Sequence, residues 1–259
     1  MTGRIAALYR HPVKGFSPEP LAAAELFAGG HFPCDRIYSV ENGPSGFDTA
    51  APAHISKSKF TVLARIPELA RVHTAYDEAA GALSARADGH PPLRARLTTA
   101  EGRAAFEAWL AAFLKAEAPE ETFGPLKVLA APDAHRFMDS RKGFVSVLNL
   151  ESLRDLERKL GRPVDPVRFR ANVHVEGWPA WREYGLEPGR GLRLGGARLS
   201  SMADIDRCMA THVDPRTGLR DIDMVGELFA RYGHICCGVY FSVEGSGRAA
   251  VGDPAEWAA

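Results

Sequence analysis

The sequence predicts a mainly β protein with a few helices, an α+β chain built as two β-rich domains. Three observations predict it. Short apolar runs recur along the 259 residues, parted by turn clusters such as Gly29-Gly30, Asn42-Gly43-Pro44-Ser45-Gly46 and Asp88-Gly89-His90-Pro91-Pro92. Helical periodicity is confined to a few stretches. Strands and helices also do not alternate regularly, as a parallel βαβ fold would require.

In the first half, the apolar runs at 5–9, 21–27, 36–40, 60–66 and 71–76 read as strands, spaced closely enough for a small barrel or sandwich. Thr98-Thr99-Ala100-Glu101 then fits a helix capping box. Behind it Phe106, Trp109, Leu110, Phe113 and Leu114 share one helical face. Residues 116–125, with Pro119 and Pro125 among acids, read as a linker. The expected domains are therefore a β-barrel-like unit at 1–122 and a second β-barrel unit at 123–259.

The second half opens with strands at 127–130 and 144–148. Asn149 is placed to cap a helix whose apolar positions include Leu153, Leu156 and Leu160, and which ends at Gly161 before Pro163. Strands are expected at 172–176, at 192–200 and around Cys208. A short helix follows at 223–232 and a closing strand at 237–244. No repeat and no low-complexity tract interrupts the pattern.

Composition narrows the function classes. Apolar residues make up 46% of the chain, enough for sizeable cores, and 32 basic residues balance 32 acidic ones. A neutral chain has no global field for nucleic acid or an anionic membrane, so neither partner is expected, and any anion site must be a local cluster of cations. No apolar run approaches a membrane span, and Met1-Thr2-Gly3-Arg4 opens without the apolar core of a signal peptide. The expected location is cytoplasmic. The cysteines are Cys34, Cys208, Cys236 and Cys237. They form no C-x-x-C pair and no iron–sulfur spacing, and adjacent Cys236 and Cys237 must face opposite sides of a strand.

Cys208 is the most informative residue. A cation beside a thiol favours the thiolate, the form that binds a soft metal or attacks an electrophile, and Arg207 is that cation. Asp204 and Asp206 pull the other way. Burial as a small hydrophobe is the alternative reading. His212, four residues on, does not complete a zinc site: on a strand the two side chains lie about 13 Å apart, and no second Cys/His pair exists. Gly189-Arg190-Gly191 lacks the third glycine of a dinucleotide fingerprint and precedes a strand instead of opening a helix. Hydrolase and metalloprotease motifs are absent.

Three further runs offer ligand chemistry. Lys14 in His11-Pro12-Val13-Lys14-Gly15 can hold a phosphate as a point charge or be a solvated strand-end lysine. Arg36 after Cys34-Asp35 can pair with an acid or face a phosphate. In Phe169-Arg170-Ala171-Asn172, Arg170 offers a fork of donors and Asn172 a donor and an acceptor. A surface turn explains the same residue types.

Together these runs resemble the MOSC superfamily, named for the C-terminal domain of molybdenum-cofactor sulfurase. The resemblance is to the two-domain kind, an N-terminal MOSC β-barrel joined to the MOSC domain, as in the amidoxime-reducing proteins. His11-Pro12-Val13-Lys14 is similar to the family's Tyr-Pro-Val-Lys, Asp35-Arg36 to its Gly-Asp-Arg step, and Phe169-Arg170-Ala171-Asn172 to Phe-Arg-Pro-Asn. Arg207-Cys208 with Val213-Asp214-Pro215-Arg216-Thr217-Gly218 is similar to its Arg-Cys and Val-Asp-Pro-x-Thr-Gly signature. Gly238-Val239-Tyr240 and Val251-Gly252-Asp253-Pro254 resemble its closing strands.

The resemblance implies a molybdenum cofactor, a metal on a pterin dithiolene, with Cys208 as the protein's thiolate ligand and catalytic residue. It implies that Lys14, Arg36 and Arg170 surround the cofactor phosphate. Asn172 and the helix start at Asn149 would hold the pterin, and Arg207 would tune the thiolate or touch the cofactor. The implied activity is reduction of small N-hydroxylated or N-oxide substrates. Electrons would come from a separate flavin, haem or iron–sulfur partner. A sulfur carrier using a Cys208 persulfide and a non-catalytic cofactor carrier are the alternatives. The chain departs from the family at Gly15, where serine is common, at Ser56-Lys57-Ser58 in place of Thr-Gln-Arg, and at His212 in place of threonine.

Overall fold

A computed structural model describes residues 2–132, 135–141, 144–185 and 188–257. In chain order its first half contains β1 (Thr2–Arg10), β2 (Glu19–Leu21), β3 (Ala23–Leu26), β4 (Tyr38–Asn42), β5 (His73–Asp77), β6 (Ala82–Arg86), β7 (Leu93–Arg96), α1 (Ala100–Glu117) and β8 (Leu126–Ala130). The second half contains β9 (Val145–Asn149), α2 (Leu150–Leu160), β10 (Val173–Glu176), β11 (Gly191–Leu194), β12 (Ala197–Asp206), α3 (Met224–Tyr232), β13 (Cys236–Gly245), β14 (Gly247–Ala250) and β15 (Pro254–Trp257).

Seven strands close a barrel in the order β1-β10-β9-β13-β12-β11-β15, and β15 returns to β1; β2 extends β1 outside the ring. Closure leaves no open edge among these strands. Inward side chains such as Ile5, Leu8, Val147, Val175, Leu194, Val239 and Phe241 fill the interior. Alternation sets which residues these are. Cys236 and Cys237 illustrate it: Cys237 is fully buried while Cys236 is partly exposed, and all four cysteines are free.

The N-terminal unit packs α1 against the sheet β5-β6-β7 and the pair β4-β8. Phe106, Leu110, Phe113 and Leu114 face Val40, Leu83 and Val128 in one core. The cap of α1 lies one residue later than the capping box predicts, because Thr99 Oγ1, not Thr98, accepts the bond from Gly102 N at 3.1 Å. The caps expected of α2 are in place: Asn149 accepts from Glu151 N, and Gly161 adopts φ 69°.

Three expectations about local structure change. Residues 60–66 are not a strand: Phe60 makes a single bridge to Glu41, then Arg65 N and Ile66 N both bond back to Val62 O in a tight turn. Phe60, Val62, Leu63 and Ile66 are all buried, and a continuous apolar run does not distinguish a strand from a buried turn. The expected linker is mostly structured, as α1 runs to Glu117 and Pro119–Glu121 makes a 3-10 turn. Cys208 follows the end of β12 and caps a 3-10 turn, Met209–His212. Hydrogen bonding also crosses the 122/123 division twice. The N-terminal strand β1 completes the C-terminal barrel, and β8 pairs with β4 of the first unit.

Candidate functional site

Loops at one end of the barrel meet the N-terminal unit around a cavity of about 330 Å³. Lys14, Arg36, Arg170, Arg207 and Cys208 all line it. Each reaches it from a strand end. Lys14 follows β1, Arg36 precedes β4, Arg170 precedes β10, and Arg207-Cys208 follows β12.

The chain past β1 is pinned to β4, since Lys14 N donates to Tyr38 O at 2.9 Å and Tyr38 N donates to Pro12 O at 3.0 Å. Lys14 is 4% exposed, and its Nζ donates to Phe137 O at 2.9 Å and to the Asp139 carboxylate. Burial pulls the Lys14 pKa down, with Arg36 and Arg170 adding to the fall and Asp139 opposing it. Asp139 is pulled down to about 2: burial would raise it, but the charge of Lys14 outweighs that. Half of the Asp139 side chain is exposed, so water screens the pair.

Arg36 and Arg170 both sit at φ 51°, in the left-handed region that side chains larger than glycine seldom occupy. Their surroundings impose it. Arg36 N donates to His11 O at 2.7 Å, its Nη1 to Asp35, and its Nη2 to Arg170 O at 3.1 Å. Arg170 N closes the 3-10 turn Pro166–Phe169 on Val167 O, and its Nη1 donates to Phe16 O at 2.7 Å. The buried Arg170 Nη2 has no protein partner. Burial first, then repulsion from Arg36, lowers Arg170 to about 10.

Gly15 beside them adopts φ 89°, and a Cβ there would stand 2.4 Å from Thr61 O. The serine common in the family does not fit this backbone. Gly15→Ala is expected to destabilise the chain by about 2–4 kcal/mol through strain and overlap combined. Urea unfolding compared with wild type measures it, and an unchanged midpoint contradicts the account.

Cys208 is partly exposed in the cavity wall. Its carbonyl accepts from Thr211 N and Thr211 Oγ1, both at 2.9 Å. Lys57 faces the thiol. Burial lowers the Lys57 pKa, but hydrogen bonding and charge from Cys208 reverse the shift upward. Arg207 is spent on the backbone, with Nε donating to Cys237 O at 2.6 Å and Nη1 to Phe169 O at 2.8 Å. It therefore braces the Cys208 loop from below. Arg168, 4% exposed, holds the far side of that loop by donating to His212 O at 3.0 Å and to Asp221 at 2.7 Å.

Two residues that the resemblance assigned to ligand contact are not in the cavity wall. Asn172 is fully buried; its Oδ1 accepts from Ser146 N and Oγ, and its Nδ2 donates to Tyr9 O at 3.2 Å. It ties β1, β9 and β10 together behind the cavity, with the buried Ser146 as the member of the group that lines it. Asn149 caps α2 and donates to Glu183 Oε2 at 2.8 Å and to Pro179 O. The N-terminus of α2 is thus closed to the cavity.

Lys57, Arg168, Asp139, Ser146 and Tyr240 line the cavity without having been assigned from the sequence. Arg168 adjoins the Phe169–Asn172 motif, Tyr240 lies within Gly238-Val239-Tyr240 and Lys57 within the departing segment Ser56-Lys57-Ser58, whereas Asp139 carries no local signal. His212 stands on a 3-10 turn, not a strand, but its Nε2 faces Asp223 at 3.3 Å. Among the described residues, no group of three or more His, Cys, Asp or Glu is placed to hold a metal ion.

Family comparisons agree with this architecture. The model of the MOSC N-terminal beta barrel domain matches residues 2–123, and that of the MOSC domain matches residues 134–256. The chain is a two-domain MOSC protein. Among curated relatives, the mitochondrial amidoxime reducing component 2 of Bos taurus is 30% identical over 157 residues, 54% of this chain and 43% of that protein. The mitochondrial amidoxime-reducing component 1 of Mus musculus is 31% identical over 121 residues, 42% of this chain and 34% of that protein. The corresponding protein of Homo sapiens is 25% identical over an alignment covering 97% of this chain and 82% of its own length. The bovine and mouse matches thus span less than half of each relative. A solved structure of the YUAD protein from Bacillus subtilis covers 98% of this MOSC chain and 94% of its own, with 15% identity and a TM-score of 0.46. No helix of the described residues is long and apolar enough to cross a membrane.

Proposed function

We propose that this MOSC protein is an oxidoreductase that holds the molybdenum cofactor in the 330 Å³ cavity and reduces N-hydroxylated or N-oxide compounds. One observation carries the reading: a single thiol, Cys208, shares that cavity with Lys14, Arg36, Lys57 and Arg170, in a chain whose net charge is zero. The donor set fits the group. The buried Arg170 Nη2 lacks a protein partner, as a phosphate contact would require, and a soft thiolate suits a redox-active metal. The relatives named for amidoxime reduction support the substrate class.

When bound, the cofactor would supply two-electron oxygen-transfer chemistry. The protein's own part is binding and electrostatics. Lys14, Arg36 and Arg170 would hold the phosphate, with Asp35 fixing the Arg36 guanidinium. Cys208 Sγ would be the metal ligand, with the Lys57 ammonium beside it in the cavity wall. Arg207 and Arg168 keep the Cys208 loop in place through backbone carbonyls. Asn149 and Asn172 act through the scaffold. Electrons would come from a separate flavin, haem or iron–sulfur protein. The four free cysteines are not placed as a cluster site, and they favour a reducing compartment such as the cytoplasm.

The test is reduction of benzamidoxime and of an aromatic N-oxide by cofactor-loaded protein with reduced viologen as donor. Amidine and amine products are expected. Loaded protein that reduces neither, with viologen or with flavin, haem and iron–sulfur donors, contradicts the reading and favours a cofactor carrier.

A further inference from the structure

A second cavity of about 340 Å³ lies on the other side of the Arg168–Arg170 turn. The two cavities share Gly15, Leu63, Arg168, Arg170 and Ala210, so one wall serves both. Its floor is apolar, with Phe16 and Val213 buried at 1% and 2% exposure. Its charge is one-sided. Arg168 and Arg170 stand in the shared wall, and Arg86 and Arg216 are exposed at the lining's edge. Among the described lining residues the one carboxylate is Asp165, which is turned to cap Val167 N at 3.0 Å, and Arg168 is paired from behind with Asp221 at 2.7 Å and Asp214 at 3.3 Å.

Part of the donor set is free, although Arg168 Nη1 and Nη2 are held by His212 O, Asp214 and Asp221 and Arg170 Nη1 by Phe16 O. Arg168 Nε and Arg170 Nη2 are buried without a protein partner. The guanidinium groups of Arg86 and Arg216 have no ion pair or hydrogen bond with the described residues. A buried donor without a partner is rare, and two in one wall mark a place where an acceptor is expected. Arginine forks suit phosphate oxygens, and an apolar floor beside them suits a flat ring system. Gly15 lines both cavities where they adjoin.

We propose that this second cavity binds a nucleoside phosphate. The chemistry has two possible sources: the nucleotide half of an extended pterin cofactor whose diphosphate passes Gly15, or a free nucleotide. Only the first source rests on the function proposed for the neighbouring cavity.

Two measurements separate the sources. Small molecules released by denaturing protein from a cofactor-competent host are analysed by mass spectrometry before and after phosphodiesterase treatment. A nucleoside monophosphate that appears only after treatment, together with a pterin, establishes the extended cofactor. Full-length protein from a host unable to make the cofactor is also titrated with AMP, GMP and CMP by calorimetry. Saturable binding of one of them, weakened about tenfold or more in an Arg86→Gln/Arg216→Gln variant, establishes a nucleotide site. Both side chains are exposed, so the variant is expected to keep the wild-type circular dichroism spectrum. The proposal is overturned if no nucleoside is released and none of the three nucleotides binds, or if the variant binds them as wild type does. Pterin monophosphate alone, without nucleotide binding, overturns it and leaves the function proposed for the first cavity intact. Nucleotide binding by protein that never acquires pterin does the reverse.

Discussion

Cys208→Ala is expected to lower reductase activity by at least about a thousandfold while leaving the fold unchanged, because the residue that ligates the reacting group is removed outright. The structure separates the two effects. The hydrogen bonds that shape the Cys208 turn end on its backbone carbonyl, from Thr211 N and Oγ1, and truncation of the side chain leaves both in place. The thiol is partly exposed, so its loss opens no buried cavity of consequence. An unfolding free energy in urea within about 0.5 kcal/mol of wild type is therefore expected alongside the lost activity. A variant that keeps even a tenth of wild-type turnover contradicts the role assigned to the thiol. A variant that unfolds contradicts the reading of the turn.

Asp35→Ala is expected to cost about 3–5 kcal/mol, the range for removing one member of a buried, hydrogen-bonded charge pair. Asp35 is 1% exposed and accepts from His11 N at 2.7 Å, from His11 Nδ1 at 3.3 Å and from the Arg36 guanidinium. Without it, Arg36 remains at φ 51° with its charge uncompensated on that side. The variant should also lose affinity for whatever anion the cavity holds.

The pH dependence follows from the same contacts. Burial would raise the Asp35 pKa, but the charge of Arg36 and the bonds from His11 carry it well below the ordinary carboxylate value. A depressed carboxylate contributes stability above its unfolded pKa and loses that contribution as pH falls through the folded one. His11, lowered to about 3 mainly by burial and then by Arg170 and Arg36, acts in the same direction. It is neutral when folded, so its contribution falls away between its ordinary pKa near 6.5 and about 3. Wild-type stability should therefore decline as pH drops from 6.5, and the part below about pH 4 should be shallower in Asp35→Ala. Equal slopes in urea titrations between pH 6 and 3 contradict this account.

Local signals in the sequence lead directly to some of this structure and not to the rest. The periodicity of Leu153 and Leu156, bracketed by Asn149 and Gly161, produces α2 because caps and face are short-range properties. Cys236 and Cys237 divide between the two sides of β13 because a strand alternates. Barrel closure is different. β1 pairs with β10 and β15, far away in the chain, and no run of residues near Ile5 announces those partners. The missed strands β6 and β7 are rich in alanine and arginine, so their hydrophobic alternation is weak.

The cavity divides along similar lines. Lys14, Arg36, Arg170, Arg207 and Cys208 sit within motifs and meet in space. Lys57 and Asp139 reach the same cavity from the 3-10 turn Lys57–Lys59 and from the loop before β9, and only the fold brings them there. Asn149 and Asn172 show the converse. A buried amide must satisfy its donors and acceptor, and the sequence does not say whether a ligand or the backbone will do so. Here Glu183, Ser146 and Tyr9 do.

The central claim is that a thiol and a ring of cations in one cavity hold a molybdenum cofactor. The most direct measurement is molybdenum by elemental analysis and pterin by oxidation to its fluorescent derivative, per chain, in wild-type protein from a cofactor-competent host. The account predicts close to one of each in wild type, and molybdenum lost from Cys208→Ala. Wild-type protein that carries neither, from a host that loads a control molybdenum enzyme, would contradict it.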